Sequence, residues 1–327
     1  MRNVLSPKEV ALAIGVSESS LKRWADGGRL RVRRTAGGHR RISIQEAIRF
    51  ARENGFPVVR PDILDLPEIG RHRPAQGQPI ESLNETIYQK LQEGQAEEVR
   101  AILLELYLAG RPLSDVFDGP VRSAMQRIGE KWRHTDAGIY IEHRATDICI
   151  QAVTMIRSLV TGGEGHDDRQ ANLDAPVAIG GCPANDPYIL PSLMVATVLA
   201  DMGFREVNLG PETPIKSMIA AAKHYRPKVT WLSCSVVDAA PSRDELVALA
   251  HTVADWDGIV TLGGQGTESL PPVDVTGVRQ LPTLAMLVNA VREFAPAQPA
   301  AGEGRGSRSA GSIATGGAGG YDFEIID

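Results

Sequence analysis

Two groups of residues in this 327-residue chain have types and spacings suited to chemistry. The first is the run Arg33-Arg34-Thr35-Ala36-Gly37-Gly38-His39-Arg40-Arg41-Ile42, which follows the segment Val16–Trp24 by about ten residues. A short helix bearing Ser19, Ser20, Lys22 and Arg23 can enter a major groove. A Gly-Gly hairpin carrying Arg33, Arg34, His39, Arg40 and Arg41 can lie along phosphates. Together they are the candidate contacts to duplex DNA, and such contacts make affinity fall steeply with salt. Trp24 and Leu30 are read as packing the small core instead. The second group is Trp132, then nine residues, then Glu142-His143. Taken alone, that spacing describes a core tryptophan and a surface pair. No other constellation stands out: His166-Asp167-Asp168 and Asp238 fall in predicted loops and His251 on a helix surface. Gly263-Gly264-Gln265-Gly266 cannot open a phosphate-binding helix, because Pro271-Pro272 follow. Cys149, Cys182 and Cys234 are odd in number and lack metal-type spacing, which predicts reduced thiols in a cytoplasmic protein.

The elements that must carry these residues divide by composition. Residues 1–60 hold 13 Lys+Arg against 5 Asp+Glu, a net of +8, and the remainder holds 22 against 35, a net of −13. A basic head on an acidic body confines polyanion binding to one end. The start Met1-Arg2-Asn3-Val4-Leu5-Ser6 lacks the apolar core of a signal peptide, and no run of 18 apolar residues could span a bilayer. No membrane partner is expected.

Within the head, residues 1–56, Ser6-Pro7-Lys8-Glu9 starts a helix to about Ile14, Ser17 caps a second to Trp24, and Ser43 caps a third over Ile44–Asn54. Residues 57–80 carry Pro57, Pro61, Pro67, Pro74 and Pro79 and read as a linker. From 81 to 161 apolar residues recur three and four apart, broken at Gly94, Gly110 and 134–138, which predicts a four-helix bundle. Across 175–296 the period changes. Short apolar runs Val177–Gly181, Glu206–Leu209, Val229–Cys234 and Ile259–Leu262 alternate with helices near Leu190–Met202, Ile215–His224, Arg243–Ala254 and Leu284–Phe294. That alternation predicts a doubly wound parallel sheet, Rossmann-like, with its ligand crevice at the strands' carboxyl ends. The tail 297–327 is too poor in large apolar residues to fold alone. The fold class expected is therefore multidomain, α and α/β.

The head is similar to a known family. Leu-Lys-Arg-Trp-Ala-Asp-Gly-Gly-Arg-Leu (21–30) followed by Arg-Thr-Ala-Gly-Gly-His-Arg-Arg-Ile (34–42) resembles the winged helix-turn-helix of the MerR family of transcription regulators. That resemblance implies a double-stranded DNA operator and a homo-oligomer, dimer or tetramer. A four-helix bundle ahead of a parallel α/β domain resembles the cobalamin-binding module of methionine synthase. The three-part order resembles the CarH/LitR group of light-responsive, adenosylcobalamin-dependent repressors. In that group the tryptophan of the Trp-x9-Glu-His signature packs over the adenosyl face, the Glu-His pair lies near the upper axial group, and the histidine can take the cobalt after light breaks the Co–C bond. Trp132, Glu142 and His143 match residue by residue, which makes His143 a cobalt-ligand candidate.

The sheet domain departs from the pattern. Cobalamin modules usually hold the lower cobalt face with a histidine from an acidic-x-His-x-x-Gly loop after the first strand. Here the loop reads Asp186-Pro187-Tyr188-Ile189-Leu190-Pro191, with Tyr188 in place of the histidine and Pro191 in place of the glycine. A phenol is a poorer cobalt ligand than an imidazole. Ser233-Cys234-Ser235 and Gly263-Gly264 resemble the motifs lining the nucleotide-tail pocket. The expected cofactor residues are thus Trp132, Glu142, His143, Asp186, Tyr188, Ser233, Ser235, Gly263 and Gly264. The resemblance implies a DNA-binding repressor, not an enzyme, whose module couples light or cobalamin to oligomerisation. Tyr188 leaves open a module that binds no corrin and serves as an oligomerisation, partner or other-ligand platform. A methyl-transferring corrinoid carrier is the third reading, opposed by the DNA-binding head.

Overall fold

The computed structural model describes residues 4–66, 79–132, 136–161 and 174–296, with the side chains of 132, 136 and 137 excluded. The tail 297–327 and His166-Asp167-Asp168 lie outside the described residues.

Local capping chemistry starts each helix of the head. α1 (Pro7–Ala13) opens on a capping box in which the Ser6 backbone N–H donates to Glu9 Oε2 at 2.7 Å and the Glu9 N–H to Ser6 Oγ. In α2 (Glu18–Asp26) the Ser20 N–H donates to the Ser17 hydroxyl at 3.1 Å. Three short antiparallel strands follow in the order β1 (Val4–Leu5), β3 (Arg40–Ser43), β2 (Arg33–Arg34), with Arg33 opposite Arg41 and Arg34 opposite Arg40. Ser43 then caps α3 (Ile44–Asn54), which stops at left-handed Gly55. Val10, Leu21, Leu30, Ile42, Ile48 and Phe50 are buried, and the Trp24 ring lies 5.3 Å from Phe50 and 5.2 Å from Phe56, so Trp24 and Leu30 belong to the core.

The segment read as a linker begins as folded chain. The Val59 and Arg60 N–H groups donate to the Ala13 carbonyl, and the 3-10 turn Pro61–Leu64 packs against α1. Leu64 and Leu66 are both buried, which explains how a proline-rich stretch can be ordered; residues 67–78 lie outside the described residues.

In the bundle, α4 (Ser82–Glu93) turns at left-handed Gly94 into α5 (Ala96–Leu108). The next helix is not one smooth rod. α6 (Leu113–Val116) passes through a π-turn, Phe117–Val121, before α7 (Arg122–Trp132), because Pro120 lacks the N–H that would continue the α ladder. α8 (Asp136–Thr161) closes the bundle.

The α/β part has a five-stranded parallel sheet in the order β5-β4-β6-β7-β8: β4 (Val177–Gly181), β5 (Arg205–Asn208), β6 (Val229–Ser233), β7 (Ile259–Gly263) and β8 (Val278–Gln280). β4 and β6 are buried along their whole length, which is why they read as continuous apolar runs. β8 was not expected, since three residues on a sheet edge carry no period. The intervening helices are α9 (Leu190–Asp201), α10 (Ile215–Tyr225), α11 (Arg243–Ala254) and α12 (Leu284–Val291). The chain leaves β4 for β5 on one side and then crosses to β6 on the other, so the topological switch point lies between β4 and β6.

Head, bundle and sheet pack together. α3 lies on α5 and α8, and α8 lies on α9. Arg157 of α8 pairs with the largely buried Glu206 of β5. Among the described residues no helix is long and apolar enough to cross a membrane.

Candidate functional site

A cavity of about 870 Å³ lies between the bundle and the carboxyl ends of β6 and β7. Its bundle wall comes from the π-turn, α7 and α8; its opposite wall comes from the start of α9, the ends of β6 and β7, and the turn into α12. That places it at the crevice where open α/β sheets receive ligands, in the upper range of small-molecule cavities, roughly 300–1,000 Å³. Phe117, Val121, Met125, Leu190 and Met194 make much of the surface apolar, and Ser233, Ser235, Glu142 and His143 supply polar groups.

On the sheet side the loop after β4 is set by Asp186. This carboxylate is fully buried and lies behind the cavity, not on its surface. Its Oδ1 accepts from the Tyr188 N–H at 3.1 Å, and its Oδ2 from the N–H groups of Ser235 at 2.5 Å and Val236 at 3.4 Å. The acid therefore laces the β4 loop to the end of β6 across the switch point. Tyr188, whose carbonyl accepts from the Cys182 thiol, turns an exposed ring to the cavity. The Ser235 hydroxyl oxygen is buried at this wall without a hydrogen-bond partner. Burial pushes the Cys182 thiol up to about 12 and the Cys234 thiol higher still, so both stay protonated beneath the site.

Gly263 and Gly264 line the cavity, but neighbouring protein backbone already demands them. A Cβ on Gly264, at φ +102°, would collide with the Cys234 carbonyl, and one on Gly263 with that of Leu281 at 2.5 Å. The 3-10 turn Gln265–Thr267 follows them, so they do not open a regular helix.

On the bundle side Glu142 and His143 sit nearly two turns into α8. Thr146 donates to Glu142 Oε1 at 3.0 Å, and the His143 Nε2 lies 3.6 Å from Glu142 Oε2, an ion-pair distance rather than a hydrogen bond. The imidazole is 74% exposed. Trp132 ends α7, and its side chain lies outside the described residues.

Sequence reasoning missed Asp118 and Arg122. Asp118, in the π-turn, accepts from the Leu284 and Ala285 N–H groups at 3.0 and 2.9 Å and so caps α12 from the bundle. Burial raises its carboxyl above the ordinary range, against the pull of those two donors. Arg122 donates to the Pro282 carbonyl at 2.7 Å and pairs with Glu268. These two residues fasten bundle to sheet at the cavity rim. Pro120 inside a helical run was the available signal.

The second assembly is the basic face of the head. Ser19 and Ser20 lie at the start of α2, their hydroxyls drawn into the Ser17 cap at 3.0 and 2.9 Å. Lys22 pairs with Glu18 at 2.7 Å, holding that carboxyl below its usual range, and Arg40 pairs with Asp26. Arg23, Arg33, Arg34 and His39 are exposed. A groove of about 420 Å³ joins Lys22 with His39, Arg40 and Arg41, bringing α2 and the hairpin together as one surface, although Glu18 also lines it.

Asp238 and His251 are exposed and stand outside both assemblies. Among the described residues no three His, Cys, Asp or Glu side chains cluster as a metal site. The donor set at the cavity thus offers one imidazole, His143, from the bundle wall, and none from the sheet loop. Volume, apolar walls and the unpartnered Ser235 hydroxyl fit a large ligand with an apolar body and a polar extension.

Residues 83–157 match the B12 binding domain family, and residues 4–55 match a helix-turn-helix domain. No curated protein matches the chain. Among solved structures it is similar to the monomethylamine corrinoid protein of Methanosarcina barkeri, with 15% identity, 66% of this chain and 99% of that one covered, and a TM-score of 0.49. A cobalamin-binding protein from Desulfitobacterium hafniense DCB-2 aligns at 16% identity over 64% and 98% of the two chains, with a TM-score of 0.31. The methanol:cobalamin methyltransferase complex of Methanosarcina barkeri aligns at 12% identity over 69% and 88%, with a TM-score of 0.32.

Proposed function

We propose that this protein is a MerR-type transcription regulator, similar in arrangement to the CarH/LitR group, whose bundle and α/β module bind a cobalamin. The observation that carries this reading is one 870 Å³ cavity walled on one side by the helices that match the B12 binding domain and on the other by the carboxyl ends of the parallel sheet, in a chain that also bears a helix-turn-helix. Phe117, Val121, Met125 and Met194 would cover the corrin, and burial of that surface would supply most of the affinity. Ser233, Ser235 and the Gly263-Gly264 turn would receive the nucleotide tail. When bound, the cofactor would supply a photolabile cobalt–carbon bond. Trp132, Glu142 and His143 would hold the cofactor from the bundle side, and the exposed His143 imidazole would be the candidate metal ligand. Tyr188 stands in the loop where such modules usually carry a histidine, so that loop would offer a metal no imidazole. Occupancy or light then changes oligomeric state and operator affinity, most simply as a repressor that dissociates.

Protein mixed with adenosylcobalamin in the dark and desalted keeps corrin absorbance, and sedimentation changes on illumination. Tyr188→Phe retains the corrin equally, because the phenol is not a ligand. Loss of absorbance from the wild type on desalting would refute the cofactor reading.

A second reading is favoured by Tyr188 itself: a module without corrin that serves as an oligomerisation platform. It predicts identical sedimentation and DNA binding with and without cobalamin, in light and dark. The helix-turn-helix head favours either reading over a methyl-carrying enzyme, which would give cobalamin-dependent methyl transfer and no DNA binding.

A further inference from the structure

Three helices, one from each part of the molecule, end at a single guanidinium. Arg52 lies in the last turn of α3 in the head. Its Nε donates to the carbonyl of Tyr107, the penultimate residue of α5 in the bundle, at 2.7 Å. Its Nη1 donates to Oδ1 of Asp201, the last residue of α9 in the α/β part, at 2.9 Å, with Nη2 at 3.5 Å from Oδ2. The guanidinium carbon also lies 3.6 Å from the centroid of the Tyr107 ring. Side-chain exposures of 15% for Arg52 and 24% for Asp201 put the pair largely out of water.

Electrostatics makes this junction more than a surface contact. Helix carboxyl ends carry partial negative charge, and Asp201 adds a full one at an end that disfavours it. Arg52 sets one full positive charge against these ends, so the arrangement depends on Arg52, and Arg52 depends on the three ends keeping their places. The other end of α9 is at the cavity, where Leu190, Pro191 and Met194 form part of the wall. Eleven residue steps run from Leu190 at the wall to Asp201 at the junction, about 16.5 Å of helix. α9 is buried on most of its surface, so it moves as a rod or not at all.

We infer that the Arg52–Tyr107–Asp201 junction is the link by which cavity occupancy reaches the DNA-reading head, with α9 as the lever. This deepens, and rests on, the reading of the cavity as a cofactor site and the head as a DNA reader. A ligand that fixes the wall at Leu190–Met194 fixes α9, and the junction then holds α3 tighter. Linkage makes the effect reciprocal: DNA that orders the head must also order the last turn of α9.

The test is amide hydrogen exchange on the full chain, comparing wild type with Arg52→Gln and Asp201→Asn. Asp201→Asn leaves every residue of the head in place, and either variant is used only if its circular dichroism matches wild type. With adenosylcobalamin in the dark, wild-type α3 gains protection on the order of tenfold, while both variants retain the corrin on desalting but lose that gain. With a 30-base-pair duplex at low ionic strength, the final turn of α9 gains protection in wild type and not in the variants. Equal gains in wild type and variants would overturn the inference, as would no gain in wild type with either ligand bound. If wild type retains no corrin, the cofactor reading fails by itself, and the duplex experiment still decides for or against the junction. If it binds no duplex, the DNA reading fails and the cobalamin experiment decides.

Discussion

At the scale of residues, Asp186 shows what spacing can and cannot reveal. Its place in an acidic-x-x loop was legible in the sequence, but its partners were not. They are backbone N–H groups at the end of a strand about fifty residues away, and a backbone donor leaves no mark in residue type. Asp186→Ala should strand three part-buried donors and cost about 3 kcal/mol, read as a lowered urea midpoint. Arg52 and Asp201 were hidden in the same way, since nothing in their separate helices announces that they meet. Glu105 gives a prediction in pH. Burial alone raises its carboxyl to about 8, so the folded chain holds a proton that the unfolded chain releases nearer 4.5. A folded-state value above the unfolded one means stability falls as pH rises between these limits. Glu105→Gln should remove that fall. Between pH 5 and pH 9 it should gain on the order of 1 kcal/mol over wild type after allowance for solvent screening, seen in thermal melts at the two pH values.

Among the elements, those with a local chemical start were the easiest to read. Ser6, Ser17 and Ser43 each cap the helix their sequence context predicts, and strands β4 and β6, buried throughout, and β7, buried up to Gly263, coincide with short apolar-rich runs. Elements governed by tertiary contact were not legible. β8 is a three-residue edge strand created by pairing with β7, and the π-turn at Phe117–Val121 emerges only once Pro120 is placed inside a packed helix. That turn carries Asp118 to the amino end of α12. Asp118→Ala should therefore cost about 1 kcal/mol, the worth of an ordinary helix cap, and loosen the cavity rim, measurable as faster exchange in α12. Gly264→Ala should be more damaging, at about 3 kcal/mol, because it adds a left-handed strain to a collision with the Cys234 carbonyl. Its melting temperature should drop whether or not any ligand is present.

For the whole molecule, the division of charge was visible from the first pass, and the structure places the basic face on α2 and the hairpin while α3 is turned toward the bundle. Duplex affinity should fall steeply between 50 and 200 mM salt, and Arg34→Ala should lower the log–log slope by about one unit, measured by fluorescence anisotropy. What no sequence pattern showed is that the head has a seat on the body at all. The seat also bears on what counts as the head. The turn after α3 returns to α1, pins its amides on Ala13, and tucks Leu64 and Leu66 out of water. Eleven residues beyond Gly55 are thus roof, not tether. A recombinant domain cut at 56 would leave the floor of that roof wet and greasy, prone to clumping, whereas one cut after Leu66 would carry its own cover.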